Sequence, residues 1–328
     1  MRLGIAGAGM IGCHTGGMLA AGGHEVVLLG RPALCEAVGR EGLRLSDHAG
    51  GAWRAEALEC VTSPEGLAGC EVVFVCVKSR DTEAMGRALA PHLGPGCVVV
   101  SLQNGVRNAE ILRAVLPGRE VRGGMVPYNV VSPAPGRYHK ATSGEIALEA
   151  GPGDLAEALD VPGLILEEHA DFEAVAWGKL LANLNNALNA LSGLPLREQL
   201  MQRGWRRLLA AQMAETLAVL QAEGIAPARL TAAPPWVLPH VLRLPTGLFR
   251  RIAARMLTVD AEARSSMQDD LRRGRPTEID ALQGEVLRRA ARHGIACPVI
   301  EAVVAALRRA EAEGRGPPGL RPGEVARL

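Results

Sequence analysis

The stretch AWGKLLANLNNALNALSG, residues 176–193, holds side chains suited to moving a proton and gripping a polar ligand. The chain contains three Lys (Lys78, Lys140, Lys179) against 33 Arg, and four of its seven Asn (Asn183, Asn185, Asn186, Asn189) follow Lys179 closely. A lysine can give up its proton near neutral pH when desolvated, whereas arginine holds its own. In a sequence that otherwise writes Arg, Lys179 therefore reads as a proton donor. Winding the segment at about 100° per residue puts Asn183 about 40° and Asn186 about 20° from Lys179, on one narrow face. Leu180, Leu181, Leu184, Leu188 and Leu191 share a packed face, with Asn189 at the edge of the polar one and Asn185 away from it. The competing reading is a merely solvated face. Four Asn cost about 2–3 kcal/mol of helix propensity relative to Ala, and solvated faces favour Glu, Lys, Arg and Gln instead. A short amide that both donates and accepts fits a ligand cleft better.

A second polar group follows at Ser265-Ser266-Met267-Gln268-Asp269-Asp270 and in GRPTEID with Glu278. Ser266 is suited to bonding a carboxylate, and Glu278 to bonding a hydroxyl or tuning the lysine. Asp269, Asp270 and Asp280 read as caps or surface charges, and TEID after Pro276 also reads as an ordinary helix start.

Such groups need a scaffold and a reactant, and the N-terminus offers one. Residues 2–6 form a short apolar run, then come Gly7-Ala8-Gly9-Met10-Ile11-Gly12, a helical stretch and the apolar run 25–31. Strand, G-x-G-x-x-G, helix and strand in this order bind a dinucleotide: Gly7 permits the tight turn, Gly9 the approach of a pyrophosphate, and Gly12 close helix–strand packing. The helix N-terminus then faces the phosphates with unpaired N–H groups. Where an NAD site usually offers an acid to the ribose, this chain has Gly30-Arg31-Pro32. Arg31 can fork onto a 2′-phosphate, so the expected cofactor is NADPH. Runs 71–78 and 97–105 read as further strands ending at Lys78 and Asn104, which places both on the cofactor edge. Their plainer readings are a surface lysine and an Asn-Gly turn.

Strands are also expected at 121–131, 145–149 and 164–169, the first two joined by the loop SPAPGR (132–137). From about 171 Ala, Leu, Arg and Glu dominate, and 171–191, 200–223, 247–273, 276–293 and 298–313 carry helical periodicity. The expected architecture is an α/β Rossmann domain over 1–170 and an all-α domain over 171–328, with RGPPGLRPGE as a loose tail. At 328 residues two domains are ordinary. A net charge of +1 and 3% aromatics argue against a nucleic-acid partner, and no apolar run is long enough for a membrane span. Seven scattered Cys without a CxxC pair indicate a reducing cytoplasm, no disulfide framework and no metal site. Apolar surface on the helical half would allow a homodimer.

Taken in order, GAGMIG, Arg31, VKSRDT at Lys78, QNGV at Asn104, WGKLLANLNNAL at Lys179, and SSMQDDLRRGRPTEID with Ser266 and Glu278 resemble the ketopantoate reductase family (2-dehydropantoate 2-reductases) over essentially the whole chain. The resemblance implies a helical domain like that of 6-phosphogluconate dehydrogenases and NADPH-dependent reduction of a 2-oxo acid to a 2-hydroxy acid in a cleft between domains. It makes Lys179 the general acid, Glu278 its partner, Asn183 and Ser266 substrate ligands with Asn186 beside them, and Lys78 and Asn104 residues near the nicotinamide. Two positions depart from the family pattern and put the substrate in question. Ala187 stands where a second Asn is frequent, with Asn186 one residue early, and Ala263 stands where ketopantoate-reducing members tend to have Asn. The alternatives are a reductase of another 2-oxo or β-hydroxy acid, and a non-catalytic NADPH sensor, which would not need Lys179, Asn183, Ser266 and Glu278 together.

Overall fold

The computed structural model describes residues 1–56, 58–231, 233–253 and 262–325. The chain folds as two compact units, Met1–Phe172 and Glu173–Leu328.

In the first unit the elements run β1 (Arg2–Ala6), α1 (Met10–Ala21), β2 (Glu25–Leu29), α2 (Pro32–Glu41), β3 (Leu43–Asp47), β4 (Ala52–Ala55), β5 (Leu58–Val61), β6 (Val72–Val75), α3 (Thr82–Leu89), β7 (Val98–Ser101), α4 (Asn108–Val115), β8 (Glu120–Met125), β9 (Val130–Ala134), β10 (Arg137–Lys140), β11 (Ile146–Glu149), α5 (Leu155–Ala158) and β12 (Leu166–His169). The larger sheet has the order β12-β11-β8-β7-β6-β1-β2-β5. From β5 to β8 every pairing is parallel, and only β11 meets β8 antiparallel. Read from β5, this is the Rossmann order, in which the chain reverses direction across the sheet between β1 and β6. The strands alternate their side chains between two buried layers. Ile5, Leu28 and Phe74 enter one core with α1, while Ala6, Leu29 and Val75 enter the other. Runs apolar on both faces are what a covered parallel sheet requires.

A second sheet, β4-β3-β10-β9, lies on the other side of α1. The sequence does not announce it. Its strands are four or five residues long and mix Arg, Ser, Asp and His with a few apolar residues. The expected single strand over 121–131 divides between the sheets as β8 and β9, and the expected loop at 132–137 is mostly strand, with the chain turning at Pro135-Gly136. Where no disulfide framework was expected, one cysteine pair is bonded. Cys35, in the first turn of α2, is bonded to Cys60 of β5, Sγ to Sγ at 2.22 Å. The two lie 25 residues apart, and the α2–β5 packing brings their Cα atoms to 5.0 Å.

The second unit is helical: α6 (Phe172–Ser192), α7 (Leu196–Met201), α8 (Arg203–Ala222), α9 (Leu238–Arg243), α10 (Thr246–Ile252), α11 (Ser266–Arg272), α12 (Gln283–His293), α13 (Pro298–Glu313) and α14 (Pro322–Val325). The periodic run 200–223 breaks at Gln202, whose backbone is extended. Buried Arg206 accounts for the break by donating to Leu200 O (2.8 Å) and Met201 O (3.1 Å), carbonyls at the end of α7. The run 247–273 reappears as α10 and α11, and its residues 254–261 lie outside the described residues. The helix expected from 276 begins only at Gln283. Before it, Thr277 donates its N–H to Glu311 Oε1 (2.7 Å) and the chain turns through Glu278. The supposed loose tail is docked: Leu320 N–H donates to Leu191 O (2.9 Å) and Val325 is fully buried. Among the described residues, no helix is long and apolar enough to cross a membrane.

Candidate active site

The glycines after β1 meet three different demands. Gly7 sits at φ +104°, where a side chain would be strained and would press on Val77. A Cβ on Gly12 would lie 2.4 Å from Gly7 O and 2.9 Å from Ile5, so only hydrogen lets α1 pack on β1. A Cβ on Gly9 would meet nothing within 4 Å. The open space lies where a pyrophosphate needs to approach. Gly9 is also the N-cap of α1, with no side-chain cap and no acid in the first turn. Ala8 N–H is taken by Leu29 O (3.0 Å) and Gly9 N–H by Gly7 O (2.8 Å), which shapes the loop, while Met10 and Ile11 open the first turn of α1, where the helix dipole suits an anion. These residues fit a dinucleotide.

Arg31 follows β2 as the exposed N-cap of α2, with Pro32 starting the helix. No acid ends β2. Lys78 caps a short 3₁₀ turn after β6 and is half-buried, as is Asn104 after β7. The structure ties their loops together. Ser79 Oγ donates to Asn104 O (2.6 Å), and Asn108 Nδ2 donates to the same oxygen (2.6 Å). Thr82 Oγ1 donates to Asn108 Oδ1 (2.9 Å) and accepts from Gln103 Nε2 (2.6 Å), which also reaches Val77 O (3.0 Å). Sequence reasoning missed Ser79, Thr82, Gln103 and Asn108. The available signal was the spacing: Thr82 three residues after Ser79 and Asn108 four after Asn104, each starting a helix.

In the second unit the residues of α6 divide sharply. Between Ala174 and Ser192 only Ala176, Lys179, Ala182 and Asn186 escape burial, with Asn183 at the margin at 9% exposure. These five positions form one i, i+3, i+7 stripe. Lys179, Asn183 and Asn186 are thus brought together on one face. Lys179 is only partly exposed, and desolvation of its ammonium by the surrounding protein lowers its pKa from the ordinary lysine value. The helix is held nearby: the Arg289 guanidinium lies 4.8 Å over the Trp177 ring and pairs with Glu223, Glu285 and Glu173. Ala228 N–H donates to Ala174 O (2.8 Å).

Asn185 and Asn189 serve a different purpose. Asn185 and Gln199 form a reciprocal amide pair, Nδ2 to Oε1 at 3.2 Å and Nε2 to Oδ1 at 2.9 Å. Asn189, fully buried, donates to Leu194 O (2.9 Å) and accepts from Ser265 N–H (2.9 Å). Ala187 is fully buried off the stripe, so this position does not open toward a ligand and Asn186 occupies the accessible place. Ser265 is the buried N-cap of α11, and Ser266, the first helical residue, is exposed. Glu278 is buried in the turn before α12, where its carbonyl accepts from Ala281 and Leu282 N–H. Gln283 Nε2 ties that turn to α6 by donating to Leu184 O (3.0 Å).

The sequence pattern described as Ketopantoate reductase PanE/ApbA matches residues 3–153, and its C-terminal counterpart matches residues 171–311. The chain belongs to the ketopantoate reductase family. It is an oxidoreductase of this family, whose members use NAD(P)H. A 2-dehydropantoate 2-reductase of Halobacterium salinarum is 31% identical over 323 residues, covering 96% of this chain and all of the relative. The crystal structure of a ketopantoate reductase of the PanE/ApbA family from Ralstonia eutropha superposes with a TM-score of 0.83 at 32% identity, covering 96% of this chain and 100% of that one. A 2-dehydropantoate 2-reductase from Geobacter metallireducens gives 0.80 at 27% identity, with 94% and 100% covered. The Rossmann and all-α units are thus those of a ketopantoate reductase.

Proposed function

We infer that this ketopantoate reductase family member reduces 2-dehydropantoate to pantoate with NADPH. The observation that carries the reading is the placement of Lys179 with Asn183 and Asn186 on the one accessible stripe of α6. Residues 7–12 would hold the pyrophosphate, Arg31 the 2′-phosphate, and Lys78 and Asn104 the nicotinamide side. NADPH supplies the hydride that adds to the carbonyl carbon. Asn183, Asn186 and Ser266 bind the oxo acid and orient its carboxylate and hydroxyl. Lys179 stabilises the charge growing on the carbonyl oxygen and delivers its proton there, with Glu278 as its partner. Desolvation favours this role, since it makes the ammonium a readier acid.

The test is absorbance at 340 nm with purified protein, ketopantoate beside other 2-oxo acids, and NADPH beside NADH. Oxidation of NADPH with ketopantoate as best substrate is expected. Arg31→Ala should remove at least about tenfold preference for NADPH over NADH, the value of one charge-assisted contact. Tight NADPH binding with ketopantoate ignored would move the substrate elsewhere. Equal use of NADH by the unaltered protein would discard the Arg31 assignment.

A further inference from the structure

Ser266 is the only residue of the substrate set that comes from α11, a short helix entered from residues 262–265. What fixes its approach to α6 is a set of buried bonds made by its neighbours. Ser265 Oγ donates to Asn186 O (2.9 Å) and accepts from Gln268 N–H (3.2 Å), so a single hydroxyl caps α11 and fastens it to the stripe of α6. Ser265 N–H donates to Asn189 Oδ1 (2.9 Å). Gln268 Nε2 reaches Asn189 O and Leu194 O, both at 3.3 Å. Leu196 N–H donates to Ala263 O (2.9 Å) on the approach to the same turn. Ser265, Gln268 and Asn189 are buried, the last two completely, and water does not compete for these bonds.

We propose that Ser265 and Asn189 are positioning residues that set the Ser266 hydroxyl beside Asn186 for binding the 2-oxo acid. The inference rests on Ser266 being a substrate ligand, as argued above. Ser265 is the more direct of the two, since its hydroxyl grips the carbonyl of Asn186 while its neighbour in sequence carries the ligand hydroxyl. Asn189 holds the backbone of the same residue from one helical turn further along α6. An asparagine meets this demand because one side chain accepts from Ser265 N–H and donates to Leu194 O.

The test is a mutant cycle on the full chain with Ser265→Ala, Ser266→Ala and the double variant. KM for ketopantoate, kcat, Kd for NADPH and Tm are read for each, and Ser265→Thr, which keeps the hydroxyl, serves as the rescue. Ser266→Ala should raise KM about tenfold, the value of one good hydrogen bond to a charged ligand. Ser265→Ala should raise KM by a comparable factor with NADPH binding within about twofold, Ser265→Thr should restore it, and the double variant should be no worse than Ser266→Ala, because coupled residues are non-additive. Asn189→Ala should follow Ser265→Ala in KM. If Ser266→Ala raises KM and Ser265→Ala only lowers Tm, the positioning role is overturned while the substrate site stands. A Ser265→Ala effect that persists undiminished without the Ser266 hydroxyl overturns it as well. An unchanged KM in Ser266→Ala would remove the substrate ligand itself, and the inference with it.

Discussion

Helix α6 uses asparagine in two ways, one on each side. On the open stripe, Asn186 presents its amide beside Lys179 where a small polar molecule can reach it, with Asn183 at the buried margin of the same face. On the buried side, Asn185 and Asn189 are spent on Gln199, Leu194 and Ser265. Both sides pay the same propensity cost of about 0.5–0.7 kcal/mol per residue relative to Ala. Only their surroundings differ. A buried amide with its partners satisfied fixes how helices meet, and an amide at a solvent-reachable position is suited to recognition. Residue type therefore marks the helix as unusual, and the register decides which side does chemistry.

The largest effect should come from the open side. Lys179→Ala should lower kcat by about 10²–10⁴-fold, the usual value of a positioned acid, with Tm and NADPH affinity near those of the unaltered protein. Lys179→Arg should not restore turnover, since a guanidinium holds its proton. Steady-state kinetics with fluorescence titration of NADPH reads both, and near-normal turnover in either variant would erase the distinction between the two sides.

A change on the buried side should do the reverse. Asn185→Leu leaves the buried Gln199 Nε2 without its Asn185 acceptor, at a cost of about 1–3 kcal/mol in stability, while kcat of the folded enzyme stays within about twofold. Asn185→Leu with Gln199→Leu should recover much of that loss, because an apolar pair leaves fewer polar groups stranded. Urea unfolding alongside turnover would show it. A large fall in kcat in Asn185→Leu would mean that the sides are not separable.

The smallest effect lies in pH. With Lys179 as the proposed acid, reduction needs it protonated, and desolvation lowers its pKa. As pH rises through that lowered value the acid is lost, so kcat/KM for reduction should fall on an alkaline limb below the roughly 10.4 of a free lysine. The limb should vanish in Lys179→Ala. A limb at or above the free-lysine value would contradict the desolvated setting of the stripe.

What could be read from the sequence follows how local each cause is. The roles of Gly7, Gly9 and Gly12 were legible because turn, opening and close packing all arise within a few residues of one another. The Lys179 stripe was legible because a helix repeats every few residues. Asn186 fell on that stripe by angle alone, and Ala187 off it, although family spacing drew attention to the alanine. Asn189 was not legible as a positioning group, because its acceptor role needs Ser265, 76 residues away. Nor was the second sheet, whose strands are too short and too mixed to show a period and which exists by pairing β3 with β10 across nearly a hundred residues. The Cys35–Cys60 bond was invisible for the same reason, depending on how α2 lies against β5.

The bond from Leu320 to Leu191 has a consequence for the order of events in folding. It joins the last turn of α6 to a segment about 130 residues later, and such distant closures are entropically expensive and slow to form. Together with Ser265 and Arg289, it makes α6 dependent on partners that leave the ribosome long after the helix itself. The helix bearing the proposed acid is therefore a late arrival, nascent early but held in its final form only when the segment around Leu320 has come back to it.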